Sequence, residues 1–246
     1  MSRQFQINQN GIVGSSIIST TPVTMSIWWR SGVLNDPTTA ICVGQYSGGD
    51  NKHRIVIRED TTDVVQCATV EAGSGVVATS TSSLSLNTWY NLTAVFASST
   101  SRAIYINGGS KGTNTTSKDP SGMNRIVIAA VTTGSGTYTQ YGDGQMAHAA
   151  IWNVALTDTE VLLLSKFSPL LVHPQSLVFY APLRGRNDPE IELCNSLNLI
   201  LNGSPAYSAT DPAVILPSST QYGLTIPSAP ATSPYMTTNA GYWGPL

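Results

Sequence analysis

Charge is scarce in this chain. Only 11% of its 246 residues are Asp, Glu, Lys or Arg, against roughly a quarter in an ordinary soluble domain. The net charge of −2 gives no electrostatic case for binding nucleic acid or an anionic membrane. Cysteine is as sparse. Cys42, Cys67 and Cys194 lie far apart and no CxxC occurs, so nothing has the spacing of a thiolate zinc site. No apolar run approaches the length of a membrane span, and the N-terminus MSRQFQINQNG lacks the apolar core of a signal peptide. The chain is therefore expected to be made in a cytosol, with reduced and buried thiols. The Asn-x-Ser/Thr tripeptides at Asn91, Asn114 and Asn202 then carry little meaning. Helical periodicity is also missing, except in one segment.

What is present is alternation. Apolar residues recur at every second position in MSIWWR (25–30), TAICVGQY (39–46), HRIVIRE (53–59), DVVQCATV (63–70), WYNLTAVF (89–96), RAIYING (102–108), RIVIAAV (125–131) and QMAHAAIWNV (145–154). Separators rich in Gly, Ser and Thr stand between them and supply turn geometry. Many short strands at this spacing predict a sandwich or jelly roll, and the length suffices to bury its core without staples. The best hairpin is 89–108. Tyr90, Leu92, Ala94 and Phe96 share one face of its first strand, Ile104 and Ile106 one face of the second, and Asn107-Gly108 turns the chain. The one helix begins after the 145–154 strand. Thr157 stands three residues before Glu160, ahead of Val161 and three leucines, which is the pattern of a capping box.

Past the helix, another strand is expected over 176–183, and from Arg184 the composition changes. Residues 205–246 are rich in Pro, Ser, Thr and Ala with scattered aromatics. This reads as an extended arm that lies against its own sandwich or against a neighbouring subunit, and the aromatic anchors favour docking on the neighbour. Tyr235, Tyr242 and Trp243 are the anchors expected to hold the arm to a partner. The domain reading is a jelly roll over 1–183 and a C-terminal extension over 184–246, with short strands and then the arm.

Three ordered stretches resemble the laminin G-like, concanavalin A-type jelly-roll family. They are VTMSIWWR (23–30), NTWYNLTAVF with RAIYING (87–108), and GQMAHAAIWNVALTDTEVLLL (144–164). The resemblance implies an all-β fold of two antiparallel sheets with one short helix. A narrower likeness lies in SPLLVHPQSLVFYAPLRG and ILNGSPAYSATDPAVILPSS, which resemble the C-terminal part of laminin G-like proteins from tailed-phage genomes. It implies a virion structural protein, assembled in the host cytoplasm.

Retaining glycosidases on this kind of sandwich use paired carboxylates in an E-x-D-x-x-E pattern, which this chain lacks. Glu190 and Glu192 stand two apart but outside the expected sheet, so no catalytic residue is assigned. Calcium-binding members use loop oxygens, and Asp143 is the position to test, with Asp50 and Asn51 as remote partners. Asp143 serves equally as a turn residue before its strand. His53, His148 and His173 have no metal spacing and are read as packed or hydrogen-bonded. Trp28 and Trp29 are adjacent on one strand and must face opposite sides; one builds core and the other is a candidate for stacking a sugar ring. The expected function is non-enzymatic, without a cofactor. The expected role is that of a capsid decoration protein, a homo-oligomer held to the major capsid or tail protein by protein–protein burial. The alternative is a lectin-like module of a phage tail or fibre that recognises host glycans.

Overall fold

The computed structural model describes residues 1–15, 18–46 and 53–217. Eighteen strands are assigned among these described residues. The first seven are β1 (Ser2–Phe5), β2 (Asn10–Val13), β3 (Val23–Ser31), β4 (Thr39–Gly44), β5 (Arg54–Glu59), β6 (Val64–Glu71) and β7 (Ser74–Ser83). Then come β8 (Trp89–Ser98), β9 (Ser101–Ile106), β10 (Gly109–Asn114), β11 (Arg125–Ile128), β12 (Val131–Thr132), β13 (Tyr138–Thr139) and β14 (Gly144–Trp152). The helix α1 (Asp158–Leu164) precedes β15 (Leu177–Ala181), β16 (Glu190–Ile191), β17 (Asn198–Asn202) and β18 (Ala206–Ser208).

Two antiparallel sheets form the sandwich, as the alternation predicts. The first runs β10-β9-β8-β3-β14-β1-β18, with β15 sharing the edge of β14 that β1 leaves open. The second runs β16-β17-β2-β11-β4-β5-β6-β7. Alternation decides which side chains meet between them. Val23, Met25, Ile27 and Trp29 of β3 and Leu92, Ala94 and Phe96 of β8 face Ile41, Val43, Ile55 and Ile57 of the second sheet in one buried core. Each outer face has its own cover. Val161 and Leu164 of α1 pack over Val95, Tyr105, Ala150 and Trp152. Val131 and Tyr138 of the β12–β13 hairpin pack over Cys42, Val56 and Val127.

The helix is fixed as its sequence dictates. Thr157 Oγ1 accepts from the Glu160 backbone N–H at 3.3 Å, and Glu160 Oε2 accepts from the Thr157 N–H at 2.8 Å. The Asn107-Gly108 turn lies directly beneath it. Gly108 has φ +72°, and a Cβ there would sit 2.5 Å from Leu162 Cα, so the turn takes a residue with no side chain.

The segment 184–216 is part of the sandwich. β17 extends the second sheet beside β2, β18 extends the first beside β1, and the compact unit runs Met1–Leu216. Arg3 of β1 is buried and binds this segment, donating to Pro205 O at 2.8 Å, Asn187 O at 2.6 Å and Glu190 Oε1 at 3.1 Å. The sandwich is also closed on its opposite side. The edge strands β10 and β7 approach so closely that a Cβ on Gly112 would lie 1.7 Å from Thr79 O. No side chain fits there. Gly112→Ala is expected to cost about 3 kcal/mol by overpacking, whereas Gly109→Ala, whose nearest neighbour would be 3.8 Å away, should change stability by less than about 0.5 kcal/mol. Urea unfolding of the two variants checks the contrast.

One buried carboxyl adds a pH dependence. Glu59 is enclosed at the end of β5, accepting from Ser31 Oγ at 3.2 Å and Thr38 Oγ1 at 3.3 Å, with its second oxygen unpartnered. Burial raises its pKa from the ordinary 4.5 to about 7. The folded chain thus holds the proton more tightly than the unfolded chain. That contribution to stability is complete below about 4.5 and is lost as pH rises through about 7. Glu59→Gln should flatten the fall in melting temperature between those values; an unchanged slope would assign the pH dependence to other groups.

Candidate functional site

An open cleft of about 380 Å³ lies on the outer face of the first sheet, beside the helix. Its floor is Val95 and Ala97 of β8 with Ala103 and Tyr105 of β9. These residues point outward because Phe96, Ile104 and Ile106 take the inward positions. Lys111 and Thr113 of β10 form one wall, and Leu156 and Asp158 the other. The second wall is held by Thr24, whose hydroxyl donates to Val154 O at 2.8 Å and accepts from the Leu156 N–H at 3.0 Å.

The polar groups converge on one point. Lys111 Nζ donates to both carboxylate oxygens of Asp158, at 2.9 and 2.8 Å, and Tyr105 OH donates to Asp158 Oδ1 at 2.7 Å. The ammonium also stands 5.2 Å from the Tyr105 ring centroid. The hydrogen bond with Lys111 lowers the Asp158 pKa, and the same bond raises that of Lys111. Burial raises that of Tyr105. Each group is thereby held in its ordinary charge state at neutral pH. General acid–base work wants a group poised near the operating pH. A fixed carboxylate, ammonium and phenol over an apolar floor suit recognition instead, offering acceptors and donors to hydroxyls above a surface for C–H groups.

The residues expected from sequence lie elsewhere. Trp28 and Trp29 do face opposite sides of β3, but neither is free to stack a sugar. Trp29 is fully buried in the core and donates its indole N–H to Asp143 O at 3.2 Å. Trp28, on the outer side, is only 7% exposed. Covering of the outer face corrects the expectation of a stacking ring there. Asp143 acts through its backbone, where its carbonyl also accepts from the Gly32 N–H at 3.2 Å, and burial raises its carboxyl pKa. A calcium ion wants six to eight oxygens, and no group of three His, Cys, Asp or Glu that could hold a metal exists among the described residues. Asp50, Asn51, Tyr235, Tyr242 and Trp243 lie outside the described residues.

Glu190 and Glu192 are buried and committed to the backbone. Glu190 Oε1 accepts from Gly185 N–H at 2.6 Å and from Arg3. Glu192 accepts from the N–H groups of Tyr180 at 3.0 Å, Cys194 at 2.8 Å and Asn195 at 2.7 Å. The histidines are hydrogen-bonded: His53 to the Ser121 N–H, His148 to Tyr180 OH and His173 to Glu160. Burial pushes the His148 pKa down to about 4.

Sequence reasoning missed the cleft residues. Tyr105 was visible only as one alternating position, Lys111 stood in a glycine-rich separator, and Asp158 belonged to a helix start. Their convergence depends on the packing of α1 against β9 and β10.

A two-sheet jelly roll with one capped helix on its outer face defines a lectin-type sandwich. The chain belongs to the concanavalin A-like lectin/glucanases superfamily, whose Laminin_G_3 family model matches residues 6–162. No curated protein matches the sequence. Among solved structures, a protein from Bacteroides ovatus described as carbohydrate binding is similar at 16% identity with a TM-score of 0.57, over 83% of this chain and 60% of that one. The chain thus spans less than two thirds of that protein. Domain 4 of AbnA, an extracellular arabinanase from Geobacillus stearothermophilus in complex with arabinotriose, is similar at 17% identity with a TM-score of 0.51, over 63% of this chain and 72% of that one. The CBM40 of a Ruminococcus gnavus sialidase, bound to α2,3 sialyllactose, is similar at 10% identity with a TM-score of 0.53, over 66% of this chain and 96% of that one. At these identities the likeness is one of fold.

Proposed function

We propose that this chain is a non-catalytic carbohydrate-binding module that takes a saccharide in the cleft between β8–β10 and the start of α1. The observation that carries the reading is the Lys111–Asp158–Tyr105 network above the apolar floor of Val95, Ala97 and Ala103. Hydroxyl pairs on a sugar match its fixed donors and acceptors, and the ring's C–H face matches the floor. The glycan complexes formed by structures of the same fold support the ligand class. The engagement of Glu190 and Glu192 with backbone N–H groups supports a binding role over hydrolysis.

A second reading places the module on a phage particle. It draws on the C-terminal resemblance and on the exposed apolar side chains Ile191, Leu193, Ile200, Tyr207, Ile215 and Leu216 of the C-terminal segment. Under it, the protein stays with purified particles through a density gradient; release into the soluble fraction overturns it.

The cleft is tested by a glycan array followed by calorimetry. Asp158→Ala is expected to weaken binding of the best glycan about tenfold or more, since one truncated partner leaves Lys111 and Tyr105 without their acceptor. Thr157 and Glu160 keep the helix capped in that variant. The reading fails if no glycan binds the wild type, or if the variant binds it equally well.

A further inference from the structure

The outer face of the second sheet has a different chemistry. Arg54 and Arg58 alternate with Val56 on β5, and Arg125 alternates with Val127 on β11. Val56 and Val127 belong to the cluster on the outer face, so the three arginines stand on that face. Arg125 is in register with Gly44, and Gly44 with Arg54. The two arginines are therefore two strands apart, roughly 10 Å, with a glycine between them.

None of the three makes a salt bridge among the described residues. Arg54 donates to Thr132 O at 3.1 Å. Arg58 gives Nε and one terminal nitrogen to Gln66 Oε1, at 3.1 and 2.9 Å. Arg125 donates to Tyr138 OH at 2.8 Å, and its Nε is buried without a partner. A guanidinium carries five N–H donors, so most of this capacity is unspent. The aromatic setting is built as well. The Arg125 guanidinium lies 3.5 Å from the Tyr46 ring centroid, and Tyr46 stacks with Tyr138 at 5.7 Å. Asp60 is the nearby acid, and it accepts from Gln66 Nε2 at 2.9 Å. Asp60 lies within electrostatic reach of Arg58. In a chain so poor in charge, three arginines on one half-exposed face, none in a salt bridge among the described residues, call for an anionic counterpart.

We propose that this face is a second binding site, for the carboxylate or sulfate groups of an acidic saccharide, with Arg54, Arg58 and Arg125 as the anion-reading residues. The choice of a saccharide rests on the carbohydrate-binding reading above; the choice of an anion rests on the arginines alone. Carboxylate and sulfate oxygens meet the guanidinium fork with two charge-assisted hydrogen bonds, stronger than those the hydroxyls of a neutral sugar make. The tyrosines hold Arg125 in place by stacking and by the bond to Tyr138 OH.

The test is calorimetry on the full chain with matched probes: an oligogalacturonate against a neutral oligogalactose of equal length, and a sulfated dextran oligosaccharide against unsulfated dextran. At least one charged probe should bind about tenfold or more tightly than its neutral match, weakening as salt rises. The pair Arg54→Gln with Arg125→Gln should remove that preference and leave neutral-glycan binding in the other cleft unchanged. Arg58→Gln, measured separately, keeps the test readable if the double variant does not fold. Uronate and sulfate arms tell which oxyanion is read. Equal binding of charged and neutral probes, or a charge preference untouched by both variants, overturns the proposal. A wild type that prefers the charged probes but binds no neutral glycan defeats the first cleft and leaves this face standing.

Discussion

The contact between Gly112 and the Thr79 carbonyl is the constraint on which the open side of the sandwich depends. Two sheets can lie face to face with their edges apart. Here β10 and β7 come together until no Cβ fits between them. Ser82 Oγ donates to Ser110 Oγ at 2.7 Å beside the same contact. Closure at this edge covers two strands that would otherwise present unpaired backbone to other chains. It also fixes the wall of the cleft, because Lys111 and Thr113 flank Gly112 in sequence and both line the cleft. Gly108, under Leu162, sets the other end of the same short strand. The geometry of Lys111 toward Asp158 therefore follows from two places where a side chain is forbidden.

Scarcity of charge gives each charged residue a defined position. Arg3, Glu59, Arg102, Glu190 and Glu192 are all buried. Burial of an ion is costly unless its donors or acceptors are met. Arg3 and Glu190 meet that need in each other, and Glu192 meets it with four backbone N–H groups. Arg102 has no carboxylate partner among the described residues. It plugs the end of the core by donating to Ser99 O at 2.7 Å, Thr116 O at 2.8 Å and Asn114 Oδ1 at 2.6 Å. Glu59 is the exception: its environment favours the neutral acid. Of the two acids that stand two apart in sequence, Glu190 thus joins the C-terminal segment to the first strand through Arg3, and Glu192 ties that segment to Tyr180 of β15.

Strands that bury one face were legible, and strands whose position comes from tertiary contact were not. β3, β8 and β9 carry inward apolar residues at every second position, β14 does so on either side of an irregularity between Ala147 and Ala150, and the Thr157–Glu160 cap marks α1 directly. β7 reads SGVVATSTSS and β10 reads GSKGTN. Both are edge strands with small or polar side chains, so alternation is weak and the backbone contact between them decides their structure. The Trp28–Trp29 pair shows the same boundary. Opposite facing follows from strand geometry, but whether the outer ring is covered depends on elements far along the chain. The cleft is hidden for the same reason: Tyr105, Lys111 and Asp158 converge across a sheet and a helix, and no spacing encodes that.

The two outer faces differ because different segments cover them. On the first sheet, α1 brings an apolar side to the strands and leaves Asp158 at the margin, where it pairs with Lys111. Cation and anion there neutralise each other, leaving a local dipole suited to hydroxyl groups. On the second sheet the cover is the β12–β13 hairpin, which contributes Tyr138 and backbone carbonyls but no acid. A carbonyl offers partial charge, so the arginines beneath it are hydrogen-bonded without being neutralised. The same sandwich therefore presents one site where cation and anion are paired and one where three arginines make no salt bridge among the described residues, although the whole chain is slightly acidic. Net charge alone hides this separation.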